Sequence, residues 1–567
     1  MGARLRDYRF LASLILYFLS VSAVLAAAFT DTIFFNVPYY LHDLWVVFDG
    51  AYRVNVGQVP NVDFYSPLGP AFYWLFQPAY LLSHSYAVIL NLSNVLVALI
   101  ATAGIVLSLR RRVDHLTLSL LIFMVISIAL SGRTIEGVYG IIKTDFLAPY
   151  NRWCWALVVP IFGFFAFPNN RLNVPAAIYC GLLGAVIFYI KIHYFLVLLI
   201  FFIFGLIFIS DARKNLLVFF SSMIFALIGI GILTGTLFPY IDTLATAAAV
   251  NQGDLRIDKF LYHMHYEGRL YFACLIFVWI FDPAARDYKD VFQYFRYRWR
   301  LCLLLLTITM GGIGILLQNH PFFEAFLVFL IFPVAYEWLR YYYRDIPACD
   351  ASGAKCRIYC EKSSNLFSLC QKGMGIPVLI MCVPLFLLDY STVMMQYRIN
   401  LSGLAQHEGL AGTPYAGIRI NTDASLYFPA DIENMEDIEA VDECMFLPVL
   451  GKTSCQYDAL IEGKELVQKY LPEGKAVLNL DFSNPFPSLT NTLPPRGAAI
   501  WWDYGRSYDA EHKPFMSVML ADTGLILLNK YSHHSHTLWR QYKDEILDAG
   551  FVMIDETQQH IAYRRSE

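Results

Sequence analysis

Charge is what this chain has least of. Asp, Glu, Lys and Arg together make up 16% of its 567 residues, against about 25% in ordinary soluble domains, and this argues against a soluble globular protein. No basic excess offsets that shortage. Lys and Arg number 42 against 46 Asp and Glu, a net charge of −4, so nucleic-acid binding lacks the positive stripe it needs. Paired CxxC arms of a zinc site are missing, as is a glycine-rich GxGxxG phosphate loop in the C-terminal part, which leaves a structural zinc site and nucleotide binding unsupported. No internal repeat or low-complexity tract is evident. What the chain does have is apolar bulk: 57% hydrophobic residues, with 44 Phe, 37 Tyr and 10 Trp. A chain that rich in aromatics does not stay unfolded. It reads as a polytopic membrane protein.

Crossing about 30 Å of hydrocarbon takes roughly 20 apolar residues. Such stretches fall near 10–29, 84–109, 115–131, 153–168, 173–190, 194–210, 215–234, 269–282, 301–317, 322–339 and 375–391. The expected fold is therefore mostly α, a bundle of about eleven transmembrane helices over residues 1–391. Ala26, Ala27 and Ala28 close the first stretch with small residues, as a cleaved signal peptide would. Its apolar run is nearer twenty residues than the ~7–15 of a signal core, and it is read as a retained anchor.

Orientation comes from Lys and Arg in short loops. Arg4, Arg6 and Arg9 precede the first stretch, and Arg110, Arg111 and Arg112 follow the second. Arg171, Arg213, Lys214, Arg286, Lys289, Arg296, Arg298, Arg300, Arg340 and Arg344 continue the series. With eleven spans all of these fall on one side, the cytoplasm. The N-terminus is then cytoplasmic, in the inner (plasma) membrane, and residues 392–567 are extracytoplasmic, or periplasmic.

That tail changes character. Helices are expected at 457–470, 514–521 and 537–549, and strands at 476–480, 498–502, 525–528, 551–554 and 561–564. Alternating helices and short apolar strands predict a layered α/β domain. Its two cysteines, Cys444 and Cys455, suit a disulfide in an oxidising exterior, with two buried thiols as the alternative. Cys349, Cys356, Cys360 and Cys370 fall in a cytoplasmic loop and read as reduced. His533, His534 and His536 read as a solvated loop, since no ligand geometry ties them to a metal.

The most unusual segment is the first external loop, about residues 30–83. It runs through Asp31, His42-Asp43-Leu44-Trp45, Asp49-Gly50-Ala51-Tyr52-Arg53, Gly57-Gln58-Val59-Pro60 and Asp63-Phe64-Tyr65-Ser66-Pro67-Leu68-Gly69-Pro70. A plain connector would be short. This loop instead gathers acids, aromatics, Gly and Pro, as an enzyme loop lying on the membrane would. The bland alternative is an amphipathic hairpin that seals the bundle.

A long first external loop with an acid soon after the first span, then a Gly-x-x-Pro-x-x-Asp-Phe-Tyr-x-Pro run, resembles the GT-C glycosyltransferases. The protein O-mannosyltransferase and lipid A aminoarabinose transferase type is closest in pattern. The resemblance covers the membrane half, and it reaches the tail only as an external α/β domain. It implies a transferase that takes a sugar from a polyprenyl-phosphate donor, with a first-loop acid as general base on the acceptor. By position that acid is Asp43. A second acid often follows directly in the family; Leu44 stands there instead, and Asp49 remains a competitor. Some family members hold a divalent metal through an acid of the second external loop. Glu136 and Asp145 are the candidates here, and Mg, Mn or Ca is the metal type, since carboxylates suit hard cations.

The chemistry itself asks for a base near the nucleophile and cations on the departing phosphate. Cations at span ends are costly unless paired or wet and read as functional by default; the alternative is snorkelling to headgroups. Arg152 in Pro149-Tyr150-Asn151-Arg152, and Lys191 with His193, stand at external helix ends, as do Arg256 and Arg269. These five are the candidates for the donor phosphate, with Arg152 and Lys191 expected to clamp it from two sides. Asp63, Tyr65, Tyr150, Asn151, Asn319 and His320 are candidates for lining the substrate cavity. Expected partners are the polyprenyl-phosphate sugar, membrane lipid, and an envelope glycan, lipid or protein as acceptor, with no nucleic acid. Two other readings stay open: a flippase or transporter of a lipid-linked saccharide, and an enzyme like an O-antigen ligase or polymerase. The tail alternatively serves as an interaction module that docks an acceptor or a partner.

Overall fold

The computed structural model describes residues 2–35, 41–134, 143–144, 148–167, 172–208, 213–250, 257–282, 290–317, 326–344, 375–395, 410–420 and 453–566. Each expected apolar stretch carries a helix, but the helices differ in length. Five are long and apolar enough to cross a membrane: Tyr8–Phe29, Tyr86–Leu109, Lys214–Thr234, Trp299–Leu316 and Gly375–Met395. The shorter apolar helices His115–Leu130, Val174–Phe188 and Leu237–Val250 bring the candidates among the described residues to eight, fewer than the eleven expected. Apolar composition alone overstates the count. A 16-residue helix such as His115–Leu130 rises only about 24 Å, short of the ~30 Å hydrocarbon layer.

The arginine-bearing helix ends meet at one end of the bundle. Arg9 lies 3.7 Å from Asp114, and Tyr336 donates to the same carboxylate at 2.6 Å. Glu337 accepts from Thr117 Oγ1 at 2.8 Å and pairs with Arg340 at 3.1 Å. Arg112 donates to the carbonyls of Phe164 and Phe167, and Asn173 ties Leu107 to Asn215. Loops far apart in sequence thus share one polar layer, as the alternation of basic loops requires.

The tail folds around a four-stranded sheet in the order Ala476–Leu480, Thr523–Asn529, His560–Arg565, Phe551–Glu556. The first pair is parallel and the other two are antiparallel. Thr523–Asn529 is buried along its whole length, which fits its unbroken apolar run. Its side chains alternate between faces. Leu525 and Leu527 pack with Leu460, Leu466 and Val467 of the Thr453–Tyr470 helix, in the core that continues into the bundle. Ile526 and Leu528 pack with Leu538, Tyr542 and Ile546 of the His533–Asp548 helix. Two expectations are corrected here. Residues 498–502 form no strand of this sheet; Ala499 bridges to Tyr65 of the first loop instead. The three histidines lie not in a loop but in the first turn of a helix capped by Ser532.

The first loop also departs from expectation. Its Leu41–Asn55 helix does not lie on a surface: Leu44, Val46, Val47, Phe48, Asp49, Ala51 and Arg53 are almost wholly enclosed. The helix is wedged between bundle and tail. Trp45 stacks on Tyr415 at 4.9 Å, Phe48 packs on Tyr86, and Tyr52 donates to the Thr492 carbonyl at 3.1 Å. Further along, Gly69 presses so close to the turn before Lys191 that a Cβ would sit 2.2 Å from the Tyr189 carbonyl. Backbone bonds from Gly69 and Ala71 to Ile190 and Tyr189 lock that approach.

Candidate active site

Asp43 is the third residue of the wedge helix, and its side chain keeps 26% of its surface open. Burial pushes its carboxyl up to about 7; the Arg506 guanidinium pulls it back and Asp503 adds to the rise. Beside it, His42 is driven down to about 3 by burial and by His534, so its imidazole is neutral. His42 Nε2 stands 3.9 Å from Asp43 Oδ1, and the ring edge packs on Phe482 at 4.3 Å.

From the bundle side come Tyr150, Asn151 and Lys191. Lys191 donates to Asn151 Oδ1 at 2.9 Å and sits 4.9 Å from the Tyr150 ring centre. Burial brings its ammonium down to about 8; the buried Cys154 opposes the fall and Arg506 adds to it. Tyr150 is within electrostatic reach of both Asp43 and Arg506. The Arg506 guanidinium of the tail is therefore within electrostatic reach of Asp43 in the first loop and of Tyr150 and Lys191 in the bundle.

Arg506 and Asp503 were not singled out by sequence reasoning. They sit in Trp501-Trp502-Asp503-Tyr504-Gly505-Arg506, where Arg506 Nη1 donates to Asp503 Oδ2 at 3.0 Å and Ser507 Oγ bonds the Asp503 amide at 2.8 Å. A charged pair inside an aromatic run was the available signal. What hid it was distance: more than 450 residues separate it from Asp43.

The other candidates are placed elsewhere. Asp49 is fully buried and binds Arg53 Nε at 2.9 Å. Arg53 Nη1 reaches the Pro495 carbonyl at 2.7 Å, so this acid anchors the first loop to the tail. Burial raises it to about 6 against the pull of Arg53. Asp63 accepts from the Val59 amide at 2.7 Å and pairs with Arg496 at 3.3 Å. Tyr65 exchanges backbone bonds with Ala498 and Ile500. Both residues work at the seam with the tail. Arg152, beside Asn151 in sequence, turns into the bundle: it lies 3.6 Å from Asp389 Oδ1, bonds the Ile128 carbonyl and covers the Phe326 ring. The expected clamp pairs it with Lys191, but this geometry ties it to the Gly375–Met395 helix. Arg269 is exposed, bonded to His265 and 5.2 Å from the Tyr266 ring. His193 sits in the first turn of the Ile192–Phe208 helix.

Glu136, Asp145, Arg256, Asn319, His320, Cys444 and the four cysteines at 349, 356, 360 and 370 lie outside the described residues, as does the Cys455 side chain. Among the described residues no group of three or more His, Cys, Asp or Glu side chains is arranged to hold a metal ion.

No protein-family model matches the chain, and no curated protein sequence matches it. Among solved structures it is similar to ArnT from Cupriavidus metallidurans bound to undecaprenyl phosphate, at 10% identity and a TM-score of 0.45 over 97% of each chain. It is also similar to apo ArnT from that organism, at 11% identity and a TM-score of 0.41, again over 97% of each chain. Likeness this distant transfers neither a residue role nor a reaction.

Proposed function

We propose that the chain is a membrane glycosyltransferase that moves a sugar from a polyprenyl-phosphate donor to an extracytoplasmic acceptor. What supports this reading is that Arg506 of the tail lies within electrostatic reach of both Asp43 and Lys191. A carboxyl near neutrality is suited to take the proton of an acceptor hydroxyl, a role typically worth ~10²–10⁴ in rate. Two cations nearby suit the charge that grows on the departing phosphate. Lys191 is still protonated at neutral pH with its value near 8, and a guanidinium keeps its charge throughout. Asp49, bound into the Arg53 pair, is the weaker choice of base.

Residues 1–391 would then form the catalytic membrane domain and 392–567 an extracytoplasmic domain that closes the site from above. The same end of the bundle would face outward, opposite the arginine layer. Arg152 would serve to hold its neighbouring helix through Asp389 rather than the phosphate.

The test supplies a polyprenyl-phosphate sugar and a candidate acceptor extract to the purified protein and follows sugar release. Turnover that vanishes in Asp43→Asn and survives in Asp49→Asn supports this reading. Lipid translocation without sugar transfer would replace it with the flippase.

A further inference from the structure

A cavity of ≈ 80 Å³ opens on the tail side of His42, between the wedge helix and the tail. At about 10–15 Å³ per water centre, that is room for some half-dozen waters, about the bulk of one sugar ring. Its floor is the pair of parallel strands, whose carboxyl ends open side by side: Asp481 follows Ala476–Leu480, and Asn529 ends the neighbouring strand. The crevice outside such strand ends is where open α/β sheets take ligands.

The lining is selective. Trp45, Phe482 and Phe486 supply aromatic walls. Asn479, only 4% exposed, spends its Nδ2 on the Ser483 carbonyl at 2.8 Å and leaves Oδ1 without a hydrogen-bond partner. His42 Nδ1 is likewise buried and unpartnered. Asp481 accepts from Asn529 Nδ2 at 3.2 Å, from the Phe482 amide at 2.7 Å and from Ser532. The His560 ring closes the far side, 3.4 Å from Glu462. Among the described residues, neither Lys nor Arg lines it. A carboxylate with no cation repels phosphate, so this is not the donor-phosphate site. Unfilled acceptors between aromatic faces suit a ring that carries hydroxyl donors.

We propose that this pocket seats one sugar ring of a saccharide acceptor and presents its hydroxyl edge to Asp43. The inference rests on the transferase reading for its second half only. His42 joins the two places, with Nδ1 unpartnered in the cavity wall and Nε2 3.9 Å from Asp43.

The experiment is saturation-transfer NMR on the full-length detergent-solubilised protein. Probes are the methyl glycosides of glucose, galactose, mannose and N-acetylglucosamine, with methyl phosphate as the control. At least one glycoside should receive saturation and methyl phosphate should not. Asn479→Leu and, separately, Asp481→Asn should weaken that binding about 3–10-fold, the worth of one hydrogen bond, while Asp43→Asn should keep it. No transfer to any glycoside in the wild type, or equal binding in both pocket variants, overturns the proposal. Should the variants fail to fold, competition in the wild type decides it. A bound glycoside must then raise the apparent KM for acceptor and leave that for donor unchanged; the reverse pattern places the ring on the donor side and overturns it. Glycoside binding with no sugar transfer from any lipid donor would sink the transferase reading and leave the pocket standing.

Discussion

The two ends of the bundle treat charge in opposite ways. At the arginine end, cations meet carboxylates directly: Arg9 with Asp114, Arg340 with Glu337, and Arg298 Nη2 with Asp282 Oδ1 at 3.0 Å. Those pairs cancel in place; the first and last tie separate helices together, and Arg340 and Glu337 pair within one helix. At the opposite end, Lys191 donates to a neutral amide and Asp43 faces a neutral imidazole. Burial is the largest influence on both groups and moves both toward neutrality. Paired charge makes structure, whereas buried charge held a little apart is left able to exchange protons.

The sharpest way to break that contrast is to remove one charge from each end. Asp43→Asn should lower sugar transfer by about 10²–10⁴-fold, the usual worth of a general base, with no change in melting temperature. Asp282→Asn should do the reverse. It strands Arg298 and also weakens the bond from Tyr294 at 2.9 Å, costing about 3–5 kcal/mol of stability, as a thermal melt would report. A melting shift in the first variant and none in the second would erase the distinction.

A pH profile sharpens it next. Asp43 must be ionised and Lys191 protonated, so kcat/KM should climb through about 7 and fall beyond about 8, changing up to about tenfold per unit on each limb. Lys191→Arg should push the falling limb above the measurable range, because a guanidinium does not titrate there. An unchanged alkaline limb would remove Lys191 from the chemistry. A subtler probe is the Arg152–Asp389 pair. Arg152→Met alone leaves a buried carboxylate, and adding Asp389→Leu should recover stability, with a coupling of about 0.5–3 kcal/mol. A double variant that loses transfer while melting normally would return Arg152 to the donor phosphate. Smallest of all, Arg340→Ala should cost less than about 1 kcal/mol, since its side chain is 36% exposed and such pairs are solvent-screened.

Much of the architecture was legible because its signals are local. Apolar runs marked the helices, and the tail strands at 476–480, 525–528, 551–554 and 561–564 stand close to where short apolar runs put them. The 498–502 segment failed that test because strand propensity does not name a partner, and its partner was Tyr65 rather than the sheet. The span count failed because hydropathy does not measure where a helix stops. In the site, Asp43 and Lys191 were visible as charges where charge is rare.

By itself the sequence determined a membrane protein of many helices, the gathering of arginines at alternate loops, and a tail with its own sheet. Each follows from the cost of placing polar groups in hydrocarbon or leaving apolar ones in water. Only the tertiary structure binds Asp49 to Arg53 and leaves the Asp43 side chain partly open. It alone turned Arg152 inward to Asp389 and brought Arg506 to the first loop. Long-range electrostatics and burial belong to the packed molecule, and no stretch of chain carries them alone.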